Sequence, residues 1–167
     1  MEALACGDVD VGFLRWRPEY PPEVTATCLL SEQVVLALPA AAPLAAYETV
    51  AAAKLRDECF VAPHFDEEYG CRDQILEVAE QGGFTPRCAP PVRDFIAALT
   101  MVGGGLGVAL VPDSLRRVRI PGVAYRPLAD VTPTTRLVGA YRRGETSPAV
   151  RGVIRRLREA AAATASA

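Results

Sequence analysis

Residues 92–112, VRDFIAALTMVGGGLGVALVP, change from helical to strand periodicity across a run of glycines, and this change constrains the fold more than any other stretch of the chain. Phe95, Ala98, Leu99 and Val102 recur at three- and four-residue intervals, which puts them on one face of a helix with Asp94 as its N-cap. Gly103, Gly104 and Gly105 end that helix, because a C′ residue needs positive φ and glycine adopts it without a Cβ clash. Val108, Ala109, Leu110 and Val111 then read as a short buried strand closed by Pro112. The order of elements argues against a nucleotide site. In dinucleotide and P-loop sites the glycines follow a strand and precede a helix, so that amides at the helix N-terminus face the phosphates; here the helix comes first, and no Gly-Lys-Ser/Thr follows.

With 167 residues, half of them hydrophobic, the chain can bury a core as one domain or two small lobes. No signal peptide and no apolar run approaching the roughly 20 residues of a membrane span is present, so a cytoplasmic protein without membrane contact is expected. The five cysteines, Cys6, Cys28, Cys59, Cys71 and Cys88, form no C-x-x-C pair, and His64 is the single histidine. They read as reduced thiols, and neither a metal site nor a cofactor is expected. A net charge of -2 argues against a nucleic-acid surface. Arg151, Arg155 and Arg158 share one face of a C-terminal helix and read as a solvated face rather than a DNA contact.

Along the chain, Leu4 and Ala5 read as the tail of a helix, and residues 8–14 alternate as a strand. Two further strands are expected over residues 23–30 and 33–38, split by the polar Ser31-Glu32-Gln33 step, followed by a turn at 39–44 and a short helix at 50–56. A strand at 59–62 leads to an amphipathic helix over 69–81 with Ile75, Leu76, Val78 and Ala79 inward, ended by Gly82-Gly83. After a strand near 87–92 and the helix and strand already described come a one-turn helix at 113–116, strands at 123–128 and 135–142, and a helix at 148–162. Strands alternating with helices indicate an α/β protein with mostly parallel sheets.

The order of several motifs carries a resemblance: GDVDVGF at residues 7–13, LLSEQVVLALP at 29–39 with Pro43-Leu44, Gly83-Phe84-Thr85-Pro86, and the 102–112 segment. Together they resemble the effector-binding domain of LysR-type transcriptional regulators over nearly the whole chain. Gly12-Phe13-Leu14-Arg15, Val92-Arg93-Asp94 and Tyr125-Arg126-Pro127-Leu128 are similar to the regulators of aromatic-compound degradation. The resemblance implies an α/β fold like that of type 2 periplasmic binding proteins: two lobes joined by two crossover strands, with a small-molecule cleft between them. It assigns residues 1–38 and 129–167 to lobe I and 39–128 to lobe II, with crossovers at 34–38 and 123–128. The family's helix-turn-helix, its linker helix and the first elements of lobe I have no counterpart, so lobe I is expected to be incomplete, with exposed strand edges.

Ligands of open α/β lobes bind where strand carboxyl ends meet helix N-termini, because free amides and the helix dipole there favour anions. Three segments qualify. Arg15 follows the first strand, beside Trp16 and Arg17, and is placed to reach a carboxylate. The loop from Pro63 leads to Tyr69-Gly70-Cys71, where the amides of Gly70 and Cys71 would cradle an anion and Phe65 or Tyr69 would cover an apolar body. Arg93 and Asp94 open the next helix. Each has a plainer reading: Arg15 as a surface arginine, Asp94 as an N-cap, Cys71 as a small apolar filler, Trp16 as packing beneath a loop. Enzyme readings fare worse, since Cys71 and His64 lack a third orienting group, and Asp66, Glu67 and Glu68 suit the first turn of a helix. The expected function is sensing of a small organic acid, muconate- or benzoate-like, by a homo-oligomeric regulator, without catalysis and without DNA contact by this chain. The alternatives are a solute-binding protein of the same fold, or a fragment that binds no ligand and pairs with an intact regulator.

Overall fold

The computed structural model of the protein describes residues 1–63 and 71–165. The chain forms two compact units, Met1–Ser31 with Thr135–Ala167, and Glu32–Thr134. It passes from one to the other inside a single strand, and returns at Thr134 and Thr135.

In the first unit, helix α1 (Glu2–Cys6) is followed by strand β1 (Val11–Arg15), which pairs antiparallel with β7 (Thr134–Arg142) from Val11 opposite Tyr141 to Arg15 opposite Leu137. The long strand β2 (Val24–Pro39) lies on the other side of β7, giving the order β1-β7-β2. Leu4, Val24 and Ala140 form a small core with Leu14, Tyr20 and Ala26 packed against it. Helix α4 (Pro148–Ala165) buries Val150 and Ile154.

Arg142, near the end of β7, draws this unit together. Its Nη1 donates to the carbonyls of Leu4 and Val9 at 3.4 and 3.0 Å, and its Nη2 to Asp10 Oδ1 at 2.6 Å and Glu145 Oε2 at 2.9 Å. These bonds hold the turn before β1, which is why the strand starts at Val11 and not at residue 8. The Ser147 amide donating to Glu145 Oε1, together with the Arg142 charge, holds the Glu145 carboxyl below its ordinary value of 4.5. A carboxyl with a lowered folded pKa contributes stability that is present above 4.5 and lost as pH falls through the folded value. Thermal unfolding followed from neutral pH to below that range will therefore show a steeper acid decline for the native chain than for Glu145→Gln, which cannot titrate.

The second unit is a mixed sheet with helices on its faces. Strands β3 (Cys59–Phe60) and β4 (Arg87–Cys88) pair in parallel, with Phe60 opposite Cys88. Phe60 also bridges Val108 in parallel, which carries the sheet on to β5 (Ala109–Pro112). The second half of β2 pairs antiparallel with β5, Leu36 opposite Leu110, and with β6 (Val123–Arg126), Leu36 opposite Arg126. The expectation of mostly parallel sheets is thus corrected. Helix-joined strands β3, β4 and β5 do run parallel, but β2 runs against its neighbours, and alternation of strands with helices says nothing about the direction of a strand that enters by no helix.

One further expectation changes. Residues 23–30 and 33–38 are one continuous strand, because Ser31, Glu32 and Gln33 keep an extended backbone while their side chains stay at least partly exposed. The 123–128 segment contains β6, which pairs with β2, and residues 32–38 and 129–134 group with the second unit. The burial pattern gives the reason: Val34, Leu36 and Leu38 enter one core with Phe60, Ile75 and Val78, while Val35 and Ala37 enter another with Leu99, Val102 and Val111. Buried on both faces, this half of β2 belongs to the second unit.

Helices α2 (Cys71–Gly82) and α3 (Phe95–Gly103) supply those cores. α2 turns Cys71, Ile75, Val78 and Ala79 inward; Leu76, expected among them, is 46% exposed because it falls one position off the buried i, i+4, i+7, i+8 stripe. The end of α3 is a Schellman motif. The Leu106 amide donates to the Met101 carbonyl and the Gly105 amide to that of Val102, with Gly105 at φ +80°.

Candidate functional site

Strands β3 and β4 lie side by side, and their pairing extends past their carboxyl ends. Pro63 bridges Val92 in parallel, with the Val92 amide donating to the Ala62 carbonyl at 3.1 Å. Cys71 is the first described residue of α2, and Asp94 caps α3. The start of α3 thus lies two residues beyond this bridge, and a helix N-terminus is a place where unpaired amides and the helix dipole favour an anion.

The start of α3 is already capped. Asp94 is extended at φ −156°, its Oδ1 accepts the Ala97 amide at 2.9 Å, and its Oδ2 accepts Arg93 Nε at 3.1 Å. The Ala97 amide first, and then the Arg93 guanidinium, hold its carboxyl below the ordinary carboxylate range. Asp94 is thus an ionised cap with both oxygens engaged. Arg93, with a side chain 92% exposed, carries the positive charge at this helix start. Cys71 is buried, so its backbone amide and not its thiol is the group relevant to an anion. Phe65, Tyr69 and Gly70, with His64 and the acidic run 66–68, lie outside the described residues.

Arg15 ends β1 in the first unit and is half-buried. Trp16 beside it is 41% exposed, with the Arg136 guanidinium 4.7 Å from its ring centroid. Trp16 is therefore a cation–π partner on a surface and not a side chain sealed under a loop. The backbone amide of Arg17 donates to the Tyr20 hydroxyl at 3.0 Å.

Several long-range polar contacts of the second unit carry no local sequence signal. Gln74, in α2, donates from Nε2 to the carbonyl of Thr134 at 3.3 Å, where the chain leaves the second unit. Glu32 accepts the Ser114 amide at 2.9 Å, and Asp130 accepts that of Ala52 at the same distance. Each caps a 3-10 turn from a remote part of the chain, with partners 82 and 78 residues away. Arg126, within the Tyr125-Arg126-Pro127-Leu128 motif, donates to the carbonyls of Tyr47 and Ala45 and so fastens the 3-10 turn at Pro43–Ala46.

This α/β architecture is that of the periplasmic-binding-protein-like effector domains. The LysR substrate binding domain model matches residues 1–162, and the chain belongs to that family. Among relatives, the Hca operon transcriptional activator HcaR of Escherichia coli K12 is 32% identical over 155 residues, which is 92% of this chain and 51% of that protein. The regulator XapR of the same organism is 31% identical over 150 residues, 90% of this chain and 50% of that protein. The chain spans about half the length of the curated relatives it matches. Among solved structures, the BenM effector binding domain with its effector benzoate has a TM-score of 0.79 at 27% identity, covering 98% of this chain and 74% of that one. A BenM variant domain reaches 0.82 at 26% identity, with 98% and 76% covered. The resemblance read from the motifs thus names the right family. These relatives are transcriptional regulators and not enzymes. Among the described residues, no helix is long and apolar enough to cross a membrane.

Proposed function

We propose that this chain is the sensing part of a cytoplasmic, homo-oligomeric transcription regulator and that it binds a small organic acid of the benzoate or muconate class. The observation that carries the reading is the likeness, over nearly the whole chain, to a domain solved with its effector benzoate. The start of α3, two residues beyond the Pro63–Val92 bridge, supports it, because a helix N-terminus with an exposed arginine beside it suits a carboxylate. In this proposal the Gly70 and Cys71 amides and the Arg93 guanidinium receive the acid, Asp94 fixes the start of α3, and Phe65 and Tyr69 cover the apolar ring. Arg15 is proposed as a further cationic contact, from its place at the carboxyl end of β1. The two compact units are proposed to act as the family's lobes, and DNA contact is assigned to parts of a regulator other than this chain.

Titration calorimetry with benzoate and cis,cis-muconate tests the reading. Saturable binding of at least one of the two acids is expected, with no binding of a neutral aromatic amide of the same size. Failure of both acids to bind, or equal binding of the amide, would remove the sensor function.

A further inference from the structure

We propose that the groove beside α4 is a second ligand site, one that takes an organic polyphosphate such as a nucleoside diphosphate. The groove has a volume of about 490 Å³ and lies wholly within the first unit. It shares no lining residue with the proposed acid site and does not depend on that reading.

Arg151, Arg155 and Arg158 line it at i, i+4 and i+7 of the helix. A rise of 1.5 Å per residue spreads them over about 10 Å along the axis, longer than one phosphate needs and suited to a short phosphate chain with its sugar. Two of the three are already held in place. Arg151 Nε donates to the Glu145 carbonyl at 2.7 Å, and Arg158 Nη2 donates to Thr27 Oγ1 at 3.0 Å and to the Tyr141 hydroxyl at 3.2 Å. Each keeps further N–H groups, and guanidinium forks that are ordered beforehand lose less entropy when they take up phosphate oxygens.

The arginines are also not neutralised. Of the two carboxylates lining the groove, Glu145 is taken up by Arg142 and the Ser147 amide. Glu159 forms no ion pair with the three arginines among the described residues, and Arg155 has no hydrogen-bond partner there. Ile154, 8% exposed, and the Tyr141 ring supply the apolar wall that a base and sugar would cover. The net charge of the chain is -2, which disfavours a long polyanion such as a duplex.

Titration calorimetry of the 167-residue chain with ADP is the test. Saturable one-to-one binding is expected, weakened at least about tenfold by Arg155→Glu, as loss of a charge-assisted contact implies. Arg116→Glu, which alters an exposed guanidinium paired with Asp113 on the second unit, is expected to leave it unchanged. Circular dichroism of both variants confirms that the helices are retained. The proposal is overturned if ADP shows no saturable binding, if Arg155→Glu binds it as the native chain does, if orthophosphate binds as tightly, or if these arginines bind a DNA duplex and ADP does not compete.

Discussion

Replacing Gly107 with alanine will destabilise the second unit by about 3 kcal/mol, whereas the same change at Gly105, two residues earlier in the same glycine-rich run, will cost about 1 kcal/mol. Both glycines have positive φ, +141° and +80°, so both pay a conformational penalty when a side chain is added. They differ in surroundings. A Cβ on Gly105 meets nothing within 4 Å, and its φ is the left-handed value that other residues adopt at modest cost. A Cβ on Gly107 would run into the carbonyl of Cys59. That carbonyl accepts the Val108 amide at 2.9 Å, and the Val61 amide returns to the Val108 carbonyl at 2.8 Å, so the clash falls on the two bonds that join β3 to β5. Neither side of this junction can give way, because Phe60, Val61 and Val108 are all buried. Urea denaturation of the two variants measures the difference. Equal losses would mean that strand β3 yields to the added methyl and that the close approach is not a constraint.

The glycine-rich run shows how much was legible. Residue spacing alone located α3, its Asp94 cap and the glycine at its C′ position, because those depend on neighbours within five residues. Gly107 was not distinguished from the other glycines, since the atom that forbids a side chain belongs to Cys59, 48 positions earlier in the sequence. The same division runs through the rest of the fold. α2 was found from its period, and only Leu76, judged by residue type and not by strict phase, was turned the wrong way. The single β2 strand was read as two because polar side chains look like a break, although an extended backbone carries them wherever they reach solvent. The Arg142 network left no trace in the sequence, its partners lying up to 138 residues away.

The candidate site divides in the same manner. Both helix starts were legible as capping or dipole features, one by one. The pairing of β3 with β4 was not, because these two-residue strands are too short to show alternation and the bridge from Pro63 to Val92 is long-range. Nor could the sequence show that Asp94 has both oxygens engaged. In the same way, the face bearing Arg151, Arg155 and Arg158 was read as merely solvated; the spacing was visible, while the groove beside it depends on β7 and the turn at Gly144.

Arg15→Ala is expected to weaken binding of benzoate by roughly 10- to 100-fold, the range of a lost charge-assisted hydrogen bond of about 1.5–3 kcal/mol. The residue is half-buried at the end of β1, where a guanidinium is partly shielded from water and its attraction for a carboxylate is less screened than that of a surface arginine. Arg15→Lys keeps the charge but loses the planar fork that matches two carboxylate oxygens, so it should recover only part of the affinity. Arg17→Ala, two residues beyond the strand, serves as the comparison and is expected to change affinity little. Calorimetry on the three variants, with circular dichroism to show that β1 still pairs with β7, separates a ligand contact from a structural one. If Arg15→Ala binds benzoate as tightly as the native chain while Arg93→Ala does not, the acid is held by the second unit alone, and Arg15 has no part in the site.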